Sequence, residues 1–214
     1  MTGRPRGTPA RRPETAPPPA VGVLALQGDF EAHARALAAA GVPAVEVRTA
    51  DQLLSAAGLV LPGGESTTLW KLMEGTGIAE AIAEVVRRGD PVLATCAGAI
   101  LLSRRILNPE RPGLGLLDVT AVRNAYGRQL DSTVVRLTDL DRAALGSEPL
   151  EAVFIRAPRL EAPGPGVEVL ARRDGDPVLV RQGNVVAATF HPELTRDPAV
   201  HRYFCAMVER SRAR

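Results

Sequence analysis

Val92-Leu93-Ala94-Thr95-Cys96-Ala97-Gly98 is an apolar run that reads as a buried strand and stops at a cysteine, after which Ala99-Ile100-Leu101-Leu102-Ser103 continues as a helix. Small residues on both sides of the sulfur permit a sharp strand-to-helix turn that lifts the thiol out of the sheet. The first helical N–H groups then face that sulfur. This is the nucleophile-elbow arrangement with cysteine in place of serine, and a helix N-terminus favours the thiolate. The competing reading is a buried cysteine that only fills space.

Outward from Cys96, short apolar runs alternate with helical patterns. Residues 21–26 read as a fully buried strand, being apolar without alternation. Asp29 is placed to cap a helix over 30–40, which Gly41 closes. Residues 42–47 and 58–61 read as further strands. The loop Pro62-Gly63-Gly64-Glu65-Ser66-Thr67-Thr68 then enters a helix through Leu69, Leu72 and Met73. A helix over 78–88 leads through Gly89-Asp90-Pro91 into the Cys96 strand. Beyond Gly115 the runs are strand-like, at 116–122, 132–137, 152–155, 167–171, 177–180 and 185–189, before a closing helix over 197–210. The expected fold is an α/β three-layer sandwich, a mostly parallel central sheet with an antiparallel extension, forming one domain over 21–210. Ligand chemistry belongs outside the carboxyl ends of its parallel strands, where Gln27, the 62–66 loop and Cys96 all fall.

A cysteine nucleophile needs a base, and the base an orienting partner. Both are available in Phe190-His191-Pro192-Glu193, which follows the apolar run Val185-Val186-Ala187-Ala188. Pro192 favours an extended backbone at His191, so His191 and Glu193, two apart, should project to one side. A tetrahedral oxyanion also needs fixed donors. The Gly63-Gly64 turn and the Ala97 amide after the cysteine are the candidates. Arg123 and Arg156 stand in low-charge surroundings and suit bidentate capture of a substrate carboxylate. The competing reading for each is a solvated arginine.

The 214 residues suffice for a sizeable core, and a net charge of +2 with scattered arginines makes no electrostatic case for nucleic acid. Two cysteines make no disulfide framework, which fits a reducing cytoplasm. Cys205, in Tyr203-Phe204-Cys205-Ala206-Met207, reads as helix packing. No apolar stretch approaches the roughly 20 residues of a membrane span. Residues 1–20, rich in proline and arginine, read as a disordered leader and not a secretory signal.

Five segments together resemble one family. They are Leu26-Gln27-Gly28-Asp29 with His33, Leu61-Pro62-Gly63-Gly64-Glu65-Ser66-Thr67-Thr68, Thr95-Cys96-Ala97-Gly98, Arg123-Asn124 with Gly127-Arg128-Gln129, and Phe154-Ile155-Arg156-Ala157-Pro158 with Phe190-His191-Pro192-Glu193-Leu194-Thr195. The chain resembles the glutaminase subunits of pyridoxal 5′-phosphate synthase, within the class I (triad) glutamine amidotransferases. One departure is Ala94, where that family's elbow usually begins with glycine; Ala94 is expected to close the strand in ordinary β geometry.

The resemblance implies hydrolysis of L-glutamine to glutamate and ammonia. Cys96 would be the nucleophile, His191 the base and general acid, and Glu193 the orienter. Gly64, Glu65, Ser66, Arg123, Ile155 and Arg156 would line the glutamine site, with the Gly64 and Ala97 amides as oxyanion hole. Ammonia would pass to a (β/α)8-barrel synthase subunit, and no metal or bound cofactor is implied. If activity is coupled to that partner, Gln27-Gly28 is the element expected to complete the oxyanion hole on docking. The rival readings are a class I glutaminase of another synthase, such as imidazole glycerol phosphate synthase, a free-standing cysteine hydrolase of γ-glutamyl compounds, and a catalytically degenerate docking subunit.

Overall fold

The computed structural model describes residues 20–125, 132–146 and 149–213. The leader, except for Ala20, and the Gly127-Arg128-Gln129 segment lie outside these residues. The first half alternates as expected: β1 (Val21–Leu24), α1 (Phe30–Ala39), β2 (Ala44–Val47), α2 (Ala50–Leu54), β3 (Leu59–Leu61), α3 (Ser66–Met73), α4 (Ile78–Arg87), β4 (Val92–Thr95) and α5 (Ala97–Leu102). The second half carries β5 (Ser103–Leu107), β6 (Arg111–Pro112), β7 (Leu117–Val122), β8 (Ser132–Leu137), β9 (Asp139–Leu140), α6 (Arg142–Leu145), β10 (Leu150–Ile155), β11 (Arg159–Glu161), β12 (Glu168–Arg173), β13 (Asp176–Gln182) and β14 (Val185–Ala188). A 3₁₀ turn (Pro192–Leu194) and α7 (Ala199–Arg212) close the chain.

The central sheet has the order β2-β1-β3-β4-β14-β13-β12-β9. Its first five strands are parallel, and the last three add on antiparallel. Alternation along each buried strand divides the core in two. Val60, Leu93, Val186 and Ala188 pack with Leu37 of α1 and with Phe204 and Val208 of α7. Leu59, Leu61, Val92, Ala94 and Ala187 pack with Leu53 of α2, Leu69 of α3, Ile82 and Val85 of α4, and Leu101 of α5. Both faces are thus covered, which explains why these strands read as unbroken apolar runs.

The remaining strands form two smaller sheets, β10-β8 and β11-β7-β5-β6. Only β13, β12 and β9 extend the central sheet, so the runs at 116–122, 132–137 and 152–155 belong elsewhere. These small sheets bring Arg123, just after β7, and Ile155-Arg156, at the end of β10, to the rim of the main sheet. The helix expected to run through Ser103 stops at Leu102, because Ser103 enters β5 and pairs with Leu117. The sequence reading also passed over α2, whose signal is a capping box: Thr49 accepts from the Gln52 amide, and the Gln52 side chain returns to the Thr49 amide. Asp29 occupies the cap position of α1, but its side chain accepts no capping hydrogen bond. Its carboxylate lies at the mouth of the site described next.

Candidate active site

The chain leaves β1 to one side for β2 and then crosses back to β3, so the order reverses between β1 and β3. Ligands of open α/β sheets bind at such a reversal, beyond the carboxyl ends of the strands. Gln27-Gly28 follows β1, Gly63-Gly64 follows β3, and Cys96 follows the adjacent β4. Cys96 adopts φ 45° and ψ −101° between strand and helix. A non-glycine residue there stores on the order of 1–3 kcal/mol of strain, held in place because the Cys96 amide donates to the Ala188 carbonyl at 2.8 Å. Ala94, fully buried in β4, keeps ordinary strand geometry, so the strain falls on Cys96 itself. Gly98 is required next, because a Cβ there would be driven into the Leu61 carbonyl of β3. As the first residue of α5, Ala97 has an amide that no intrahelical carbonyl can take.

His191 lies just beyond β14, the parallel neighbour of β4, and its amide donates to the Val153 carbonyl of β10 at 2.7 Å. The segment is not extended as expected. Residues 192–194 wind into the 3₁₀ turn, with the Leu194 amide donating to the His191 carbonyl. The turn still brings the pair together: His191 Nδ1 stands 2.7 Å from Glu193 Oε1. With Nδ1 so engaged, Nε2 is the ring nitrogen left for the Cys96 side chain, which also hydrogen-bonds His191. Burial alone pulls the His191 pKa down, but the hydrogen bonds and charges of Cys96 and Glu193 outweigh it and push it up to about 10. His191 is thus held as the imidazolium beside Cys96.

A cavity of about 210 Å³ opens over these groups and is lined by Gly64, Glu65, Ser66, Cys96, Arg123, Ile155, Arg156 and His191. All six expected substrate-site residues are therefore on its wall. The volume is below the roughly 300–1,000 Å³ of sites for drug-sized ligands and suits something the size of an amino acid. Glu193 and Ala97 stand behind the lining. Glu65 lines the cavity, yet its carboxylate is already engaged as the cap of α3: Oε1 accepts from the Thr67 amide at 3.0 Å, and Oε2 from the Thr68 amide at 2.7 Å. Burial pushes its pKa up, but the amide and hydroxyl donors of Thr67 and Thr68 prevail and hold it at about 2. Oε1 also accepts from the Arg123 guanidinium at 3.2 Å, which steadies that cation at the rim. Gln27 accepts from the Glu65 amide at 3.0 Å, while its Nε2 is buried with no partner.

Behind Glu193 lies a group to which the sequence reading assigned no role. His33, on the buried face of α1, is 0% exposed and reaches both Thr95 and Glu193, and His201 of α7, 1% exposed, reaches His33. The signal was present: a histidine on a helix's apolar stripe, four before Leu37. Burial lowers the His201 pKa to about 4, and burial together with His201 and His191 holds His33 well below 6.5. Both rings therefore bind fewer protons folded than unfolded once the pH drops below about 6.5, so protons stabilise the unfolded chain. The contribution of these two rings should be whole above pH 6.5 and fall progressively toward pH 4, whereas that of the raised His191 is whole below pH 6.5 and fades as the pH climbs toward 10. Melting temperatures between pH 7.5 and 4.5 test this, with His201→Phe expected to flatten the slope. A wild-type melting temperature constant over that range would contradict it.

A parallel sheet with a strained cysteine at the end of one strand and a histidine–glutamate pair beyond its neighbour is the frame of a cysteine-dependent acyl-transfer protein. The sequence pattern of the SNO glutamine amidotransferase family matches residues 23–210, and the chain belongs to that family. Among relatives, pyridoxal 5′-phosphate synthase subunit PdxT of Koribacter versatilis is 52% identical over 188 residues, covering 88% of this chain and 95% of its own. The protein of the same name from Thermus thermophilus is 53% identical over 186 residues, covering 86% and 95%. A solved structure described as a glutamine amidotransferase superposes with a TM-score of 0.81 at 47% identity, covering 89% of this chain and 99% of that one.

Proposed function

We propose that the chain hydrolyses L-glutamine to L-glutamate and ammonia, and delivers the ammonia to a (β/α)8-barrel subunit of pyridoxal 5′-phosphate synthase. The observation that carries this is the strained Cys96 set against the His191–Glu193 pair over an amino-acid-sized cavity. The pathway and the partner rest on likeness to the pyridoxal 5′-phosphate synthase subunits. The catalytic unit is residues 21–210, in keeping with the 23–210 span of the family pattern. Two free, buried cysteines suit work in the cytoplasm.

The Cys96 thiolate attacks the side-chain amide carbon of glutamine, and the Gly64 and Ala97 amides hold the oxyanion. The His191 imidazolium gives its Nε2 proton to the departing nitrogen, releasing ammonia and leaving a glutamyl thioester. Neutral His191 then takes a proton from water, whose oxygen attacks the thioester, and glutamate leaves as the thiolate re-forms. Glu193 keeps the proton on Nδ1 throughout. Arg123, braced by Glu65, and Arg156 are placed to hold the substrate α-carboxylate. Ammonia in open water would be protonated, so direct transfer into a partner protects the nucleophile.

Ammonia release from glutamine, measured with and without the barrel subunit, tests this together with labelling by 6-diazo-5-oxo-L-norleucine. Turnover stimulated by that subunit, and a label on Cys96 that glutamine blocks, are expected. Labelling confined to Cys205, or stimulation only by an unrelated synthase, would redirect the assignment.

A further inference from the structure

All three histidines of the chain, His33, His191 and His201, fall in one buried line that ends at Cys96. His201 Nε2 lies 3.1 Å from His33 Nδ1. His33 Nε2 lies 3.2 Å from Thr95 Oγ1 and 3.2 Å from Glu193 Oε2. Glu193 Oε1 in turn holds His191. The first and last helices of the described residues, α1 and α7, thus reach Glu193 through His33 and His201.

We infer that His33 is a positioning residue for glutamine hydrolysis, locking the Glu193 carboxylate and, with His201, setting the direction of every proton along the line. The inference rests on the Cys96–His191–Glu193 reading above. The tautomers follow from electrostatics. A lone pair on His33 Nε2 would face a carboxylate oxygen at 3.2 Å and repel it, so Nε2 carries the proton. Nδ1 is then an acceptor and must receive the N–H of His201 Nε2. Of the two oxygens near His33 Nε2, the N–H is better aligned on Thr95 Oγ1. Glu193 Oε2 has no hydrogen bond of its own and is held by the N–H dipole beside it. A carboxylate so buried and left with no facing donor would rotate to find one, which would release His191 Nδ1. The titratable groups facing His33 are His201 from α7 and Glu193 and His191 from the segment after β14, the Glu193–His191 pair also faces Cys96 and the Asp29 carboxylate ahead of α1, within 4.8 Å, and the neutral state of His33 is enforced by burial.

The test compares His33→Leu, which fills similar space with no donor, with His33→Gln, whose amide N–H reaches where Nε2 stood. Glutaminase activity is measured with the synthase subunit present, beside wild type and Cys96→Ala. H33L should lower kcat by about tenfold or more with KM for glutamine changed less than about twofold. The alkaline limb of its kcat/KM profile should move to lower pH, because a loosened Glu193 no longer supports the His191 proton. H33Q should recover most of the kcat and the wild-type profile. Folded H33L with wild-type kcat and profile overturns the inference, as does folded H33Q no better than H33L, which would mean packing alone. If H33L does not fold, His201→Phe decides: a lower kcat with the same shift supports the line, and an unchanged kcat and profile overturns it. Cys96→Ala that retains turnover would instead overturn the triad reading beneath it.

Discussion

Replacing Cys96 by alanine is expected to lower glutamine hydrolysis by roughly 10,000-fold or more, as when other covalent nucleophiles are removed, while leaving glutamine binding and the fold intact. The reasons are local. Cys96 is 6% exposed, and its sulfur lies as far as 4.0 Å from the Ile155 carbonyl, a contact too weak to hold the backbone. Loss of the sulfur removes neither the Ala188 carbonyl bond that holds the turn nor the Gly98 contact with β3. The arginines and backbone of the cavity wall are also untouched. Calorimetric titration with glutamine should therefore still show binding when turnover is gone. A second consequence is electrostatic. The Cys96 side chain is among the groups raising the His191 pKa to about 10. Without it, Glu193 alone opposes burial, and an NMR titration of His191 should place its pKa lower in the variant than in wild type. A variant with measurable wild-type turnover would sink the assignment of the nucleophile.

The second large effect is expected at Gly63, which has no side chain and lines the cavity beside the triad. Its backbone lies outside the left-handed region, so alanine is conformationally permitted there. The obstacle is what a Cβ would meet: it would stand 3.0 Å from His191 Nδ1 and 3.2 Å from the Cys96 Cβ, and closer still to His191 Cε1. A methyl there wedges between base and nucleophile. Displacement of a reacting group by about 1 Å removes on the order of 100-fold in rate, whereas the overpacking itself destabilises by roughly 1–3 kcal/mol. Gly63→Ala should thus lose at least about 100-fold in kcat/KM with a folded circular dichroism spectrum and a melting temperature lowered by only several degrees. Wild-type activity would show that the imidazole has room to step aside. Gly98 differs, because its missing Cβ makes way for the Leu61 carbonyl, and backbone has little freedom to yield.

The parts of this protein that were legible in the sequence are those set by neighbours along the chain. Parallel strands buried on both faces must be apolar throughout, so residues 21–24, 59–61, 92–95 and 185–188 could be recognised from composition alone. The elbow was legible for a similar reason, since a strand-to-helix turn around Cys96 needs small residues on either side. Where local cues competed, the reading failed. Asp29 stands at a helix start without capping it, the capping box at Thr49 and Gln52 starts a helix too short to show a periodic stripe, and Pro192 and Glu193 wind into a 3₁₀ turn after His191 instead of running on extended. Proline at the first position suits such a turn as well as it suits a strand, and only the bond from the His191 amide to Val153 selects between them.

Sequence by itself determined the class of fold and the strand-to-helix turn at Cys96, because each depends on short stretches whose composition permits one backbone path, while the residues proposed for the site came from the five segments that resemble the family. Tertiary structure alone decided which strands of the second half join the central sheet and which form the two small sheets that carry Arg123 and Ile155-Arg156 to the rim. It also decided that Glu65 turns its carboxylate onto α3, and that His33 and His201, 168 residues apart, meet behind Glu193. Strand pairing and buried polar contacts depend on which surfaces remain to be covered once the core has closed, and nothing in the chain near His33 specifies what will lie against it.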